Sequence, residues 1–439
     1  MLKTVKFGGS SVSDAGQFKK VKAIIEADPA RRIAVISAAG KRSKEDHKLT
    51  DLLYLCHAHL TYGVSCDDIF DSICERFIEI RDSLKLDFKI EDHLNALRSK
   101  LSKDMSVDEL VSRGEYLTSR LMAEYLGFRF VDAKDCIHMN YDGSFDMERI
   151  SQDIKEALSE YGKIVIPGFY GSLPNGKIKV MSRGGSDITG SLASAGAGAD
   201  VYENWTDVSG ILMSDPRIVD NPLPIEKLTY AELRELAYMG ASVLHEESIL
   251  PVKEAGIALN IRNTNRPEDA GTMIVDHIDP KEDKADERFI TGISGKKNYS
   301  IITVRKRQIT SNRHLRHALE ALDHYDVKAE SINLGLDSFS VVVSAQAAGE
   351  QMYDMISEIE KTLKPDSVEV QENIALVAAV GRKMTQRPGI SGKLFKALGD
   401  NGINCRTITQ GSDELSIMVG VDNSQFEDAV RVLYNGFAG

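Results

Sequence analysis

Lys3-Thr-Val-Lys-Phe-Gly-Gly-Ser-Ser-Val12 is the stretch on which the reading of this 439-residue chain turns. Leu2 to Phe7 alternates apolar and polar side chains as a strand does, then breaks at Gly8 and Gly9. Glycines there let backbone N–H groups approach an anion, so this is where a phosphate could sit. Lys6, at the carboxyl end of the strand, offers a compact positive charge for a transferring group, and Ser10 and Ser11 add small donors. Asp14, with Gln17 three residues on, has the spacing of a capping box ahead of the stripe Phe18, Val21, Ile24, Ile25. An ordinary glycine turn is the competing reading of Gly8 and Gly9. The pattern G-x-x-x-x-G-K-[ST] does not occur, so a nucleotide would be held by another architecture.

Composition narrows the classes. Hydrophobic residues make up 42%, enough for proper cores, and the length suggests two to four domains. A formal net charge of -12 argues against a nucleic-acid partner or an anionic membrane surface, which need a basic face. No long apolar run and no signal-like start is seen, so the cytoplasm is the expected address. Five scattered cysteines without a C-x-x-C pair suggest neither a disulfide framework nor a zinc site.

Outward from the first strand, Ile33 to Ser37 is a second apolar run, ending in Ser37-Ala-Ala-Gly40, and two such ends suggest a parallel sheet with ligands at its carboxyl edge. Lys41 to Lys48 is charged and reads as mobile. Helical spacing runs from Thr50 and from Cys66 to Leu101, the latter a helical insertion (66–105) with nothing chemical in it. Ser106 with Glu109 caps a helix carrying Ser112-Arg-Gly-Glu-Tyr-Leu-Thr-Ser119. Glu115 on it is either a ligand for a substrate ammonium or an exposed helix acid. Further strands are expected at Phe128–Val131, Ile164–Pro167, Ala199–Trp205 and Ile257–Ile261, with a hairpin over 168–180. Met181-Ser-Arg-Gly-Gly-Ser-Asp-Ile-Thr-Gly190 is a second glycine pair opening a helix. Arg183 there is a candidate carboxylate clamp, and Ser186 and Asp187 lie in the first turn. Two glycine turns, each beside a basic residue, favour phosphate transfer over a structural role. Asp207 and Arg217, in the polar loops after the fifth strand, are placed to meet a nucleotide. Helices between most strands make this a three-layer α/β domain.

Taken together, Lys6-Phe-Gly-Gly-Ser-Ser11, Ser182 to Asp187, Trp205-Thr-Asp-Val208, Ser214 to Val219 and Ile261 to Ile274 resemble, in order, the aspartate kinases of the amino acid kinase superfamily. The resemblance implies a carbamate kinase-like αβα domain over 1–278. It also implies transfer of phosphate from ATP, with Mg2+, to the β-carboxylate of L-aspartate, the first step toward lysine, threonine and methionine. On it, Lys6 stabilises the transferring group, and Gly8, Gly9 and Ser10 line the phosphates. Arg183 clamps the α-carboxylate, Glu115 takes the ammonium, Ser37, Thr50 and Ser186 complete that pocket, and Asp187 organises the centre. Thr206, Asp207, Asp215 and Arg217 hold the nucleotide. No metal ligand among the side chains is implied. Three departures stand out. The 41–48 insertion replaces a small-residue turn, Leu212 and Met213 stand where a tyrosine is common, and Ser242 replaces a phosphate-associated lysine. A sensor with a lost kinase activity, or a kinase with glutamate as acceptor, are the alternatives.

After a charged linker (279–288), the pattern strand–helix–strand–strand–helix occurs twice, over 289–371 and 372–439, each a ferredoxin-like βαββαβ unit. Arg387-Pro-Gly-Ile-Ser-Gly392 and Gly402-Ile-Asn404 resemble the ACT domain, a regulatory module. The second copy lacks a last strand, which Phe289–Ser294 is expected to supply, interleaving the copies. The resemblance implies lysine or threonine as effector and a homodimer or homotetramer through the ACT domains. Ser311, Glu330, Asp337 and Ser338 are the candidate effector residues, with solvated turn acids as the plain alternative.

Overall fold

A computed structural model describes residues 1–182, 184–241, 244, 246–279, 281, 288–307, 313–386 and 388–438. Arg183, Ser242, Ser311 and Arg387, and most of the expected linker, therefore lie outside the described residues. The chain forms two compact units: 1–211 with 226–230 and 243–279, and 212–225 with 231–242 and 280–439. Two segments from within residues 1–278 thus pack with the second unit, and the break between units is not a single point in the sequence.

The first unit is built on strands β1 (Lys3–Phe7), β2 (Arg31–Ile36), β3 (Arg129–Phe130), β4 (Ile164–Pro167), the hairpin β5 (Tyr170–Ser172) and β6 (Ile178–Val180), β7 (Val201–Thr206), β8 (Lys227–Thr229), β9 (Ala258–Asn263) and β10 (Thr272–Val275). Its main sheet runs β8-β10-β9-β7-β1-β2-β4-β3. The parallel sheet read from the sequence needs one correction: β9 and β10 pair antiparallel. β8 and β10 went unforeseen because three or four residues are too few to display a period.

Alternation explains the layers. Val5 and Phe7 of β1, Ala34 and Ile36 of β2, and Val165 of β4 enter one core. Ile33, Val35, Ile164 and Ile166 enter another on the opposite face. The first core packs under helices α1 (Ala15–Glu26), α2 (Leu49–Thr61), α3 (Asp67–Ser83), α4 (Ile90–Arg98) and α5 (Arg113–Leu126). The second lies beneath α6 (Met147–Tyr161) and α7 (Gly185–Ala197). With helices on both faces, β2 and β4 read as unbroken apolar runs. Among the described residues, no helix is long and apolar enough to cross a membrane.

The central strands also bury charge. Glu203 of β7 is bonded to Arg31 (2.8 Å), Lys3 (3.1 Å) and the Trp205 indole (2.9 Å). Arg31 and Lys3 hold its carboxyl below the usual range against the opposing pull of burial. Trp205 in turn stacks on Phe7 at 6.0 Å.

The second unit carries α8 (Tyr230–Tyr238, of which 231–238 belong here) and strands β11 (Gly292–Arg305), β12 (Ala329–Leu334), β13 (Ser338–Ser344), β14 (Ser367–Val380), β15 (Thr407–Gln410) and β16 (Ser416–Asp422), ordered β12-β13-β11-β14-β16-β15. Two 14-residue strands are shared between the copies. Residues 299–305 of β11 pair with β13, while 292–296 pair with 376–380 of β14, the first strand of the second copy. Residues 367–371 of β14 return the arrangement by pairing with 301–305. Each long strand bends at its midpoint, where Asn298 (φ 68°) and Asn373 (φ 59°) take the left-handed conformation that asparagine tolerates. Glu232 of α8, fully buried, accepts bonds from Thr291, just before β11, and from the backbone N–H and guanidinium of Arg382, just after β14 (3.1 Å each).

Replacing Glu203 with glutamine leaves Arg31 and Lys3 facing a neutral partner in the core. We expect Glu203→Gln to lose about 3–5 kcal/mol of stability, read as a lower urea midpoint with an unchanged slope.

Candidate active site

Lys6 sits on β1 with only 7% exposure, on the face opposite Phe7. A buried ammonium needs an anion, and the parallel register that sets Lys6 beside Asn204 of β7 brings one. The Lys6 ammonium lies 2.5 Å from Asp187, and the Asn204 amide N–H donates to the same carboxylate oxygen at 2.8 Å. Asp187 is in the first turn of α7, where the helix dipole favours a carboxylate. That helix starts from Gly184 at φ 75°, a conformation that suits glycine. Its small residues follow from its packing: a Cβ on Gly190 would overlap the Tyr202 ring, and one on Gly168 would lie 2.5 Å from the Ser186 hydroxyl oxygen. Lys6, Asp187, Gly8, Gly9 and Ser186 are thereby gathered at the carboxyl edge of the sheet.

The turn after β1 is a short 3-10 helix, Gly9–Val12, followed by α1. Gly8 N–H donates to the Trp205 carbonyl (3.1 Å), Ser11 bonds Thr264 (2.7 Å), and Ser10 is exposed. Asp14 caps α1 by accepting from the Gln17 N–H at 3.1 Å. The reciprocal half of the capping box is not made: Gln17 Oε1 accepts no hydrogen bond among the described residues, while its amide N–H donates to Asn265.

One strand over, Ser37 continues β2 and donates its N–H to the Phe7 carbonyl (3.1 Å). Glu115 is brought here by α5. Gly114 admits the close approach: a Cβ there would be 3.1 Å from the Ala38 methyl and 3.2 Å from Leu53 of α2. Thr118 accepts from the Ala39 N–H at 3.2 Å and fixes the helix against the strand exit. Of the two sequence readings of Glu115, exposed helix acid or ligand, the first is excluded, since the side chain is 5% exposed. Its Oε2 has no hydrogen-bond partner among the described residues. Burial pushes its carboxyl up to about 8, against a hydrogen bond from the Ala38 backbone. Thr50 is half-buried in the first turn of α2, the helix that meets Gly114 through Leu49 and Leu53.

The charged loop 41–48 is tied down rather than loose. Arg42 pairs with Asp46 (3.0 Å) and Glu79 (2.8 Å), and Arg76 of α3 donates to the carbonyls of Gly40 and His47 (2.9 Å to the latter). Nothing in the sequence pattern pointed to this, since a single arginine on an amphipathic helix reads as surface charge.

The family model of the amino acid kinase family matches residues 1–263, and that of the ACT domain matches 377–437. Aspartokinase 3 of Bacillus subtilis is 35% identical over 456 residues, covering 99% of this chain and 98% of its own. The chain belongs to the aspartokinase family. The crystal structure of aspartate kinase from Clostridium acetobutylicum superposes with a TM-score of 0.90 at 46% identity, covering 99% of both chains. That of E. coli aspartokinase III in complex with aspartate and ADP shares the fold, with a TM-score of 0.73 at 23% identity and full coverage of both.

The remaining family-implied residues fall less tightly together. Thr206 is half-buried at the end of β7 and donates to the exposed Asp207 at 3.2 Å. Asp215 and Arg217 belong to the second unit and pair with each other at 2.6 Å. Met213 is buried in that unit, where its carbonyl accepts from the Ile293 N–H (2.7 Å), and Leu212 is half-buried. Of the effector candidates, Glu330 accepts from the Tyr238 hydroxyl, Asp337 is exposed with its carbonyl bonded to the Lys306 N–H (2.9 Å), and Ser338 opens β13. Asn204 was missed, although an asparagine and a glutamate inside the strand Val201–Trp205 are themselves a signal.

The raised pKa of Glu115 gives its effect on stability a definite sign. Its folded value of about 8 exceeds the ordinary carboxylate value, so its contribution to stability is full below the unfolded value and is lost as pH rises through 8. Thermal unfolding should show the wild type losing stability relative to Glu115→Gln between pH 5 and 9. Parallel pH profiles would contradict the burial of an unpaired acid.

Proposed function

We propose that this chain transfers the γ-phosphoryl group of ATP to the β-carboxylate of L-aspartate, giving 4-phospho-L-aspartate and ADP. One observation carries the assignment: Glu115, a buried carboxyl whose Oε2 has no hydrogen-bond partner among the described residues, sits at the exit of β2, next to the exit of β1 where the Lys6–Asp187 pair stands. The first is a receptor for an ammonium, the second for a phosphoryl group in transfer. The names of the relatives supply the acceptor.

The chemistry asks for positioning and charge neutralisation rather than proton abstraction. The β-carboxylate of aspartate, with an ordinary pKa of about 3.9, is already an ionised nucleophile at neutral pH. In-line attack on the γ-phosphorus forms the acyl phosphate bond and expels ADP. Lys6 places its ammonium on the oxygens that gain charge, and Asp187 with Asn204 holds it there. Gly8, Gly9 and Ser10 line the phosphates, while Thr206, Asp207, Asp215 and Arg217 are assigned to the nucleotide. Glu115, Ser37, Thr50, Ser186 and Arg183 are assigned to aspartate.

Among the described residues, no cluster of three or more histidine, cysteine, aspartate or glutamate side chains is arranged to hold a metal. Asp187, beside Lys6, fits a magnesium ion carried largely by the nucleotide's own phosphates. When bound, Mg2+ would neutralise phosphate charge. We also assign the ACT-type second unit to an amino-acid effector, lysine or threonine, and to homodimer or homotetramer formation. Five unpaired cysteines support a reducing, cytoplasmic address.

Hydroxylamine trapping of acyl phosphate should give product from ATP, Mg2+ and L-aspartate but not L-glutamate, reduced about 10²- to 10³-fold in Lys6→Ala. Product from glutamate alone would reassign the acceptor. Adding lysine and threonine singly and together identifies the effector. A second measurement addresses Glu115: an ammonium bound beside it favours its ionised form, so aspartate binding at pH 7 should release close to one proton. Calorimetry in two buffers of different ionisation enthalpy reads that release, and buffer-independent heats would remove Glu115 from the pocket.

A further inference from the structure

The helical insertion carries a side chain that bonds the backbone beside the site. Arg76, in the middle of α3, is only 4% exposed, and its guanidinium donates to two backbone carbonyls at the two ends of the charged loop, Gly40 and His47. It also lies 3.7 Å from the carboxylate of Asp46, of the same loop. Gly40 is not a passive anchor. Its N–H donates to the Gly9 carbonyl at 2.8 Å, and the two backbones touch so closely that a Cβ on Gly40 would stand 2.5 Å from the Gly9 carbonyl carbon. A Cβ on Gly9 would in turn be 3.0 Å from the Ala38 carbonyl oxygen. The path therefore runs guanidinium, Gly40 carbonyl, Gly40 N–H, Gly9 carbonyl, with no flexible side chain after the first atom.

We propose that Arg76 is a positioning residue that sets the distance between the phosphate turn Gly8–Gly9 and the acceptor side of the site. The loop it spans begins just after Ser37 and ends at the N-terminus of α2, where Thr50 lies, so one rigid planar group fixes both flanks of the acceptor pocket and, through Gly40, the phosphate turn. A guanidinium is suited to this because its donors are held in a fixed fork, whereas an ammonium is a point charge that cannot span two carbonyls with the same geometry. The inference rests on the kinase reading above, since it assigns Arg76 to the alignment of that reaction.

The test uses the full chain with Arg76→Lys, Arg76→Gln, Gly40→Ala and the double variant Arg76→Lys/Gly40→Ala. Displacing reacting groups by about 1 Å costs on the order of 10²-fold in rate. Arg76→Lys should therefore lose 10- to 100-fold, mostly in kcat at saturating aspartate and ATP, with Arg76→Gln as the substitute if the lysine variant does not fold. Because Arg76 and Gly40 act through one contact, their effects on kcat should be strongly non-additive. A lower melting temperature with unchanged kcat, or additive losses in the double variant, would overturn the proposal and leave Arg76 a purely structural residue. If the wild type forms no acyl phosphate with any acceptor, the kinase reading fails instead. Arg76 is then judged by the rise in melting temperature caused by ADP and Mg2+, and equal rises in the wild type and Arg76→Lys overturn the proposal.

Discussion

The contact on which the site depends is the buried ion pair of Lys6 and Asp187. An ammonium with 7% exposure is costly unless an anion and a hydrogen-bonding partner meet it. Both come from neighbouring elements: Asp187 from the first turn of α7 and Asn204 from the strand in register with β1. The pair is kept at 2.5 Å only while β1, β7 and α7 keep their places, so the sheet register and the catalytic geometry are the same constraint. Glu203 holds the other face of those strands through Lys3 and Arg31, two residues from neighbouring strand ends. The central strand is thus pinned by charge on both faces, with the Lys6–Asp187 pair on one and Glu203 on the other.

A second constraint is backbone contact. Gly9 and Gly40 approach more closely than any side chain would allow, which explains why both strand exits carry small residues. The substrate-side helix α5 comes in by the same device, with Gly114 against Ala38 and Leu53. The result is the burial of Glu115 with an oxygen left unbonded among the described residues, an arrangement that raises its pKa to about 8.

These features differ in how far the sequence reveals them. The two glycine turns, Lys6 and Asp187 were legible because a strand that ends in glycines beside a basic residue has a local chemical meaning. The burial of Glu115 was not, since an acid after a glycine in a helix looks the same whether it faces water or protein, and only the packing of Gly114 decides. Arg76 was invisible for a related reason: its partners are main-chain carbonyls, which carry no residue identity. The charged loop misled in the opposite direction, as Lys41 to Lys48 has the composition of a mobile segment, yet Arg42 and Asp46 pair within it and Arg42 and the His47 carbonyl are bonded by α3. The antiparallel pair β9–β10 escaped because a strand as short as β10 gains its direction from its neighbours.

The second unit follows from a topological need rather than from local pattern. A ferredoxin-like copy without its final strand leaves an unpaired edge, and residues 292–296 cover that edge by extending a strand of the other copy. The left-handed asparagines at both midpoints let each 14-residue strand change course where it passes from one copy to the next. Neither copy is then complete alone, and a ligand that reshapes one shared strand acts on both. Glu232 grips the entrance of β11 through Thr291 and the exit of β14 through Arg382, so both shared strands report to α8. Residues 231–242 of that segment continue directly into 243–279 of the first unit. What joins the two shared strands at α8 is therefore a set of hydrogen bonds converging on one buried carboxylate.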